Sequence, residues 1–296
     1  MLIGSAPVSW GVYEVRPDGG PVPWHQVLDE IAATGYEGTE LGPYGYLPTD
    51  PAVLRDELGR RNLRLTSAFH PLEPRGDAGQ ELARAVEVAG TLAALGCGAI
   101  VLACAGTPDR DAVAGRAAPE HALTGDAWRA FVDLVRRAAE AAAERGLRAY
   151  FHNHAATYVE TPDEVGRLLE AVPAAAMGLC LDTGHYAFGG GEPAQALRDY
   201  RERIGYLHLK DLRRAALEDA RRRGLSFLEA VEAGVFCELG RGDAGIEGVV
   251  RALDASGYEG WAIVEQDRVV TPSTPPDEPR RSAQISRDWL RQVLGR

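Results

Sequence analysis

Short apolar segments alternate with longer amphipathic segments along the chain, and this rhythm constrains the fold more than any other feature. We expect each apolar segment to be a buried strand, because it is short and is followed by a segment of helical periodicity. The predicted strands are Leu2–Ser9, Gly38–Leu41, Leu63–Phe69, Ala99–Ala103, Ala149–Phe151, Met177–Leu181, Ile204–Leu209 and Trp261–Glu265. Strands that alternate with helices predict an α/β protein with a parallel sheet.

The segments between the strands carry helix and cap signals. In Trp128–Arg145, apolar residues recur at helical spacing while charged residues occupy the opposite face. In Thr161–Glu164, a threonine, a proline and a glutamate predict a helix start with a capping box. Gly-Tyr-Glu-Gly occurs at 35–38 and at 257–260, where a glycine would end a helix before the next strand. Eight such units in 296 residues predict one domain, residues 1–296, folded as a (β/α)8 or TIM barrel.

A doubly wound open sheet is the alternative fold. That fold would need a glycine-rich phosphate loop after an early strand, and the sequence has none. We interpret the run Gly189–Gly191 as a turn before the helix near Pro193.

One segment departs from the rhythm. Residues 212–234, after the seventh strand, are long and charged and predict a helical insertion. An apolar face with Leu225, Leu228 and Val231 would cover the barrel mouth or contact a neighbouring subunit, or the helix would simply be solvated.

Charge and composition restrict the classes of partner. The net charge is −11, which argues against a main role in binding nucleic acid or an anionic membrane. No apolar run approaches the ~20 residues of a membrane span, and the first residues lack a signal-peptide pattern. The cysteines form no CxxC pair, and we interpret Cys97, Cys104 and Cys180 as buried free thiols. These features predict a cytoplasmic protein.

Polar residues at the ends of the predicted strands are the candidates for catalysis, because a TIM barrel places its active site at the carboxyl ends of its strands. Those ends carry Trp10, Glu40, His70, His152–His154, Asp182–His185, His208–Asp211 and Glu265–Asp267. Five of the seven histidines of the chain lie there. Taken singly, each has a structural alternative: a hydrogen-bonded histidine, a helix cap at Asp182, an ion-paired Glu40 or a core Trp10.

Three of these residues end consecutive strands. Asp182, His208 and Glu265 lie at the ends of the sixth, seventh and eighth predicted strands, so their side chains should converge near the barrel axis. Two carboxylates with an imidazole suit Mn²⁺, Co²⁺ or Zn²⁺, whereas Ca²⁺ prefers oxygen ligands alone. The pattern therefore predicts a divalent metal site.

The same motifs carry a resemblance to a known family. They are Ala6–Gly11, Gly38–Pro48, Leu181–Gly191, His208–Asp211 and Gly257–Asp267. The chain resembles, from end to end, the xylose isomerase-like TIM barrels, the sugar isomerase and epimerase superfamily. Within that superfamily it is most similar to the inosose dehydratases.

The resemblance implies a set of site residues. Asp182, His208 and Glu265 would bind the metal together with a glutamate at the end of strand five, but His152 occupies that glutamate position here. His152 is therefore the implied fourth ligand, with Glu160 or water as alternatives. Two further groups are implied: the catalytic residues Lys210, His185 and His154, which would contact substrate oxygens or move protons, and the substrate-binding residues Trp10, Glu40, His70 and Asn153.

The implied reaction is loss of water from an inosose, a cyclic polyhydroxy ketone, to give a cyclohexane dione. The implied cofactor is a divalent ion, Mn²⁺ or Co²⁺ first, with Zn²⁺ or Mg²⁺ as alternatives. We expect a polyol or keto-sugar substrate, a homo-oligomer, and no nucleic-acid or membrane partner. Three other functions stay open: a ketose epimerase or sugar isomerase, an endonuclease-like enzyme, and a non-catalytic sugar-binding barrel.

Overall fold

The computed structural model describes residues 1–13 and 22–295. Its strands are β1 (Leu2–Ser5), β2 (Gly38–Thr39), β3 (Arg64–Leu65), β4 (Phe69–Leu72), β5 (Ala99–Cys104), β6 (Arg148–His152), β7 (Met177–Asp182), β8 (Ile204–Leu209), β9 (Asp211–Leu212), β10 (Phe236–Cys237) and β11 (Trp261–Val264). Nine of them form a parallel sheet in the order β3-β2-β1-β11-β8-β7-β6-β5-β4.

The sheet closes because β3 and β4 are two parts of one barrel strand. The Leu41 amide donates to the Ser67 carbonyl, whereas the Val101 amide donates to the Ala68 carbonyl. The chain therefore changes partner, from the β2 side to the β5 side, between two adjacent residues. The two ends of the sheet order belong to the same strand, so the barrel has eight strands. The TIM barrel prediction is confirmed, and the open doubly wound sheet is excluded.

Several predicted strands have different limits in the structure, and two of the differences move candidate site residues. β1 ends at Ser5 rather than Ser9, because Pro7 begins a short 3₁₀ helix, Pro7–Trp10, that Gly11 ends at φ 75°. A proline has no N–H to donate to a neighbouring strand. The third strand extends to Leu72, so His70 lies inside a strand and not beyond its end.

The helices surround this sheet. They are α1 (Trp24–Ala33), α2 (Pro51–Gly59), α3 (Ala78–Ala94), α4 (Pro108–Asp111), α5 (Gly125–Ala143), α6 (Pro162–Ala171), α7 (Thr183–Phe188), α8 (Pro193–Asp199), α9 (Arg214–Arg223), α10 (Phe227–Glu232), α11 (Ile246–Ala255) and α12 (Glu278–Leu294). The predicted capping box is present: Thr161 Oγ1 accepts from the Glu164 amide, and Glu164 accepts from the Thr161 amide.

Two apolar cores lie on opposite sides of the barrel wall. The larger core fills the space between the strands and the helices. The smaller core lies inside the barrel and includes Val101, Cys180, Tyr206 and Ile263. Successive side chains of a strand point to opposite faces, so β5, β6, β7, β8 and β11 each contribute to both cores. This alternation fixes which residue of each strand faces the barrel axis.

The segment 212–234 contains α9 and α10, between the antiparallel strands β9 and β10. Its apolar face differs from the prediction. Val231 is buried as expected, but Leu228 is 52% exposed, whereas Phe227 is buried. The face of α10 that turns inward is therefore centred on Phe227.

All four cysteines are free and buried, as predicted for Cys97, Cys104 and Cys180. Burial raises the pKa of Cys104 to about 12 and that of Cys180 to about 11. Among the described residues, no helix combines the length and apolar character needed to cross a bilayer.

Candidate active site

Strand alternation brings the four predicted metal ligands to one place. Each ligand follows by two positions a residue that faces the barrel interior, in the pairs Tyr150 and His152, Cys180 and Asp182, Tyr206 and His208, Ile263 and Glu265. A residue two positions farther along a strand has the same orientation. The ligands therefore form the layer immediately above the interior core, at the carboxyl ends of neighbouring strands.

These four side chains form a compact and buried group. One ligand atom from each of His152, Asp182, His208 and Glu265 lies within 4.8 Å of the others. His152 Nε2 is 3.3 Å from Asp182 Oδ2, and His208 Nδ1 is 3.0 Å from Glu265 Oε2. This set of two imidazoles and two carboxylates matches the donors that divalent transition metals prefer.

The hydrogen bond made by His208 supports a metal role for its other nitrogen. His208 Nε2 lies 3.0 Å from Glu40 Oε1 and donates to it, which leaves Nδ1 as the nitrogen that faces Asp182 and Glu265. Burial opposes the positive charge, but Cys180, Glu265 and Glu40 outweigh it and raise the pKa of His208 well above its ordinary value. An ion bound between the carboxylates would take the place of the Nδ1 proton. Glu40, expected only to contact substrate, also orients this ligand.

Asp182 is held at both its side chain and its backbone. Its Oδ1 accepts from the His185 amide at 2.7 Å, which leaves Oδ2 to face the other ligands. Asn153 donates to the Asp182 carbonyl at 3.1 Å and accepts from the Asp182 amide at 3.0 Å. Asn153 thereby joins the ends of β6 and β7. It does not line the cavity, and its substrate contact stays a prediction.

Lys210, the only lysine in the chain, lies among carboxylates. Its Nζ is 2.9 Å from Asp267 Oδ1 and 3.2 Å from both Asp182 Oδ2 and Glu265 Oε2. Burial opposes the charge, but these carboxylates outweigh it and raise the pKa of Lys210 well above its ordinary value. A Cβ at Gly184 would lie 2.6 Å from Lys210 Cγ, so glycine makes room for the lysine stem.

Asp267 is a site residue that the sequence placed among the strand-end candidates without a role. It is 3% exposed, and its Oδ2 lacks a hydrogen-bond partner, although His185 Nε2 is 3.3 Å away. The signal was present in the strand period: Asp267 follows Glu265 by two positions, as Lys210 follows His208. Asp267 lies one layer above the ligands and lines the cavity.

His154 and His185 form a pair above the metal group. Their ring centroids are 4.0 Å apart. Burial, and then neighbouring positive groups, lower the pKa of both imidazoles. Phe227 of α10 contacts both rings, at centroid distances of 5.3 and 5.6 Å. The packing of Phe227 is therefore part of the burial that lowers the pKa of both candidate proton carriers.

A cavity of about 290 Å³ opens onto this group. His152, His154, His185, His208, Lys210, Glu40, Glu265 and Asp267 form its polar wall. His70 also lines it, and its Nε2 is buried without a partner. The remaining wall, which includes Val12, Phe69 and Tyr44, is largely apolar. The cavity thus has a polar floor and an apolar side, which suits a small ring with hydroxyl groups on one face.

Two sequence expectations concern residues that lie elsewhere. Trp10 is fully buried, its Nε1 donates to Glu30 at 2.7 Å, and it does not line the cavity. The turn after Pro7 directs it away from the barrel axis, so the structure does not bring Trp10 to the cavity, and its substrate contact stays a prediction. Glu160 is not in the ligand group, because its carboxylate accepts from the amides of Gly115 and Ala156. His152 is the residue that completes the group.

Two inosose dehydratases are similar to this chain over most of its length. Inosose dehydratase of Geobacillus thermodenitrificans (strain NG80-2) is 31% identical and covers 100% of this chain and 98% of its own length. Inosose dehydratase of Geobacillus kaustophilus (strain HTA426) is 36% identical and covers 90% of this chain and 87% of its own length. These relatives confirm the predicted resemblance to the inosose dehydratases, and with it an enzyme similar to hydro-lyases.

Solved structures share the fold at low identity. The probable 3-DHS dehydratase AsbF of Bacillus anthracis has a TM-score of 0.71, 13% identity and 98% coverage of both chains. The IOLI protein with a binding zinc atom has a TM-score of 0.70 and 16% identity, covering 100% of this chain and 98% of its own. The 3-keto-D-glucoside 4-epimerase YcjR of E. coli has a TM-score of 0.66 and 18% identity, covering 99% of both.

The family comparison agrees with the geometry. Residues 17–293 match the family described as xylose isomerase-like TIM barrel, a range that contains every ligand and proton carrier described above. The chain belongs to the xylose isomerase-like TIM barrel family.

Proposed function

We propose that the chain is a metal-dependent inosose dehydratase, which removes water from an inosose to give a trihydroxycyclohexane dione. One observation carries the proposal: the buried group of four ligands has His152 where a second proton-moving carboxylate would stand, below a cavity that also contains two neutral imidazoles and a lysine. The names of the relatives supply the substrate class.

The chemical problem is to remove a proton from carbon next to a ketone. A divalent ion held by His152, Asp182, His208 and Glu265 would supply positive charge that stabilises negative charge on the ketone oxygen. Glu40 and Asn153 contribute by keeping His208 and Asp182 in place.

His154 is the proposed base. Its Nδ1 donates to the Ala155 carbonyl at 2.7 Å, so the neutral ring has its lone pair on Nε2. The lowered pKa keeps this nitrogen unprotonated near neutral pH. His154 therefore takes the proton from the carbon next to the ketone, and the electron pair forms the new carbon–carbon double bond.

Lys210 is the proposed acid. The neighbouring carboxylates keep its amine protonated, and it lies at the cavity wall. It donates a proton to the hydroxyl on the adjacent carbon, which leaves as water when the carbon–oxygen bond breaks. One proton leaves carbon and one joins the departing hydroxyl, so the substrate loses one water, and the enol product converts to the dione.

Asp267 and the apolar wall would place the ring. The unpartnered Oδ2 of Asp267 is an acceptor for a substrate hydroxyl. The side that includes Val12 and Phe69 would contact ring C–H groups, the role expected from the sequence for Trp10.

The test is direct turnover. Protein loaded with Mn²⁺ or Co²⁺ should convert scyllo-inosose into a dione that is followed by its ultraviolet absorbance. Lys210→Met should retain the bound ion and lose at least about 100-fold in turnover, the usual size of an acid–base contribution. Asp182→Asn should lose both the bound ion and turnover. Absence of the dione signal with either metal would refute the dehydratase proposal.

A ketose epimerase is the second candidate, because YcjR shares the fold and the proton-abstraction step would be common to both reactions. An epimerase returns a proton to carbon from the opposite face. Because His152 is one of the four proposed ligands, the carboxylates in the group are Asp182 and Glu265 alone. Incubation in D₂O separates the candidates: deuterium in recovered substrate without dione would favour the epimerase.

A further inference from the structure

Glu160 is a buried carboxylate that the proposed reaction does not use. It is 1% exposed and lies in the loop that follows His154. One oxygen accepts from the Gly115 amide at 2.9 Å, and the other accepts from the Ala156 amide. Because burial of a carboxylate is costly without strong partners, a position for this group beside the candidate base needs an explanation.

Ala156 is in a conformation that alanine disfavours. Its φ is 60°, and among the described residues only one other non-glycine residue, Asn62, has a positive φ. A left-handed residue with a Cβ carries a steric cost. The bond from Glu160 to the Ala156 amide supports this conformation directly.

The peptide group between Ala155 and Ala156 connects Glu160 to His154. Its N–H end, the Ala156 amide, donates to Glu160. Its C=O end, the Ala155 carbonyl, accepts from His154 Nδ1 at 2.7 Å. One rigid planar unit thus has the carboxylate at one end and the imidazole at the other.

The remaining loop bonds hold Glu160 in place. The His154 amide donates to the Val159 carbonyl at 3.2 Å, which closes the loop on itself. The Glu160 amide donates to Glu164 at 3.0 Å, and Glu164 forms a paired contact with the buried Arg110. The carboxylate is therefore anchored to the scaffold and does not move freely with the loop.

We propose that Glu160 is a positioning residue that fixes the tautomer and orientation of His154 through the Ala155–Ala156 peptide group. The carboxylate holds the peptide plane, and the carbonyl of that plane keeps the proton on Nδ1. The Nε2 lone pair is then directed to the cavity. Hydrogen bonds linked in this way strengthen one another. The catalytic meaning rests on the proposed function, whereas the structural link does not.

The first measurement is the ¹⁵N spectrum of the histidine side chains. The His154 signals are assigned by their absence from the spectrum of His154→Asn. Wild-type protein should show His154 protonated at Nδ1, and Glu160→Gln should show a mixture of tautomers. Wild-type protein with the proton on Nε2 would overturn the proposal, whether or not any variant folds. This spectrum is informative even if no inosose is turned over.

The second measurement is turnover with suppressor variants. Glu160→Gln should lower kcat about tenfold, the factor of one net hydrogen bond, with KM within about twofold because no substrate contact is lost. In the Glu160→Gln background, Ala156→Gly should recover most of kcat, since glycine adopts φ 60° without support.

The matched control is Asn62→Gly in the same background. Asn62 precedes β3, at the amino ends of the strands, and has the same left-handed conformation with φ 53°. This control should relieve backbone strain without restoring kcat. Equal recovery by both glycine variants would show that Glu160 acts only through global stability and would refute the positioning role.

Discussion

At the scale of single residues, one hydrogen bond determines which atom of a buried histidine is free. Glu40 accepts from His208 Nε2 and so leaves Nδ1 beside Asp182 and Glu265. Partners of this kind fix the tautomer of a metal ligand and increase its basicity. Glu40 also lines the cavity, so it links the proposed ion to the proposed substrate.

Removal of this acceptor should weaken metal binding. We expect Glu40→Ala to raise the Kd for Mn²⁺ or Zn²⁺ roughly 10- to 100-fold, because His208 would lose its fixed orientation. The measurement is calorimetric titration of metal into the apoprotein. His70→Asn is the control, since His70 lines the same cavity outside the ligand group, and its Kd should stay near the wild-type value.

Glu160 should make stability depend on pH. Burial raises its pKa from 4.5 to about 7. The folded state therefore binds the proton more tightly than the unfolded state. The contribution of Glu160 to the free energy of unfolding is complete below pH 4.5 and is lost as the pH rises to about 7. The unfolding free energy of wild type relative to Glu160→Gln should fall by at most about 3 kcal/mol across this range. Urea titrations at pH 4.5 and pH 8 test this; an unchanged difference would contradict it.

The strand period explains which site residues could be predicted. Asp182, His208 and Glu265 end their strands with the orientation of the interior residues, so the strand pattern brings them together, whereas His152 was implied as a ligand only by the family resemblance. Asp267 obeys the same rule but lies beyond β11, where periodicity alone no longer indicates a strand. The role of Glu160 depends on a left-handed alanine, and no sequence pattern indicates that conformation.

At the scale of elements, α10 is the part of the molecule that supports the candidate proton carriers from outside. Phe227 contacts the rings of His154 and His185, while Phe236 of β10 contacts His185 at 5.5 Å. The Phe227 amide donates to Asp111 at 2.8 Å, which fixes the start of the helix. The segment predicted as an insertion therefore contributes to the site.

Truncation of Phe227 should affect both stability and turnover. We expect Phe227→Ala to cost about 3 kcal/mol of unfolding free energy, as is typical for a buried phenylalanine, and to lower kcat because both imidazoles lose packing. Leu228→Ala, next to it but exposed, should change the unfolding free energy by less than about 0.5 kcal/mol. Urea unfolding compares the two; similar losses would show that α10 does not pack as described.

Element boundaries were the weaker part of the prediction. The apolar content of Leu2–Ser9 hides the turn at Pro7, and this turn sends Trp10 to the core. The third strand changes partner at Ser67 and Ala68, a detail of barrel closure that depends on both neighbouring strands. Local pattern indicates that strands exist, whereas tertiary pairing decides where they end.

At the scale of the whole molecule, the alternation of strands and helices was sufficient to predict the barrel. It does not reveal the number of subunits, so the homo-oligomer and the cytoplasmic location stay predictions. The net charge of the chain is −11, and its acidic residues include the three buried carboxylates around Lys210. Their mutual repulsion is one reason to expect that a bound cation stabilises the whole fold.

Metal should therefore raise the melting temperature. With Mn²⁺ or Zn²⁺ at about 100 times its Kd, linkage gives roughly 2.7 kcal/mol of stabilisation, or about 5 °C for a chain of this size. The difference is read by thermal unfolding with metal and with a chelator. Asp182→Asn should show no such difference, and a shift of equal size in that variant would place the ion elsewhere.

The regular strands of the barrel wall differ in length around its circumference. The predicted ligands lie at the ends of β6, β7, β8 and β11, which are four to six residues long, whereas β2 contains only two residues and the third barrel strand is divided between β3 and β4. Glu40 and His70 lie in or next to these two barrel strands. We expect substitutions in this sector to change which ring is accepted without moving the proposed metal ligands. One barrel can in this way acquire new substrates while the proposed metal ligands stay in place.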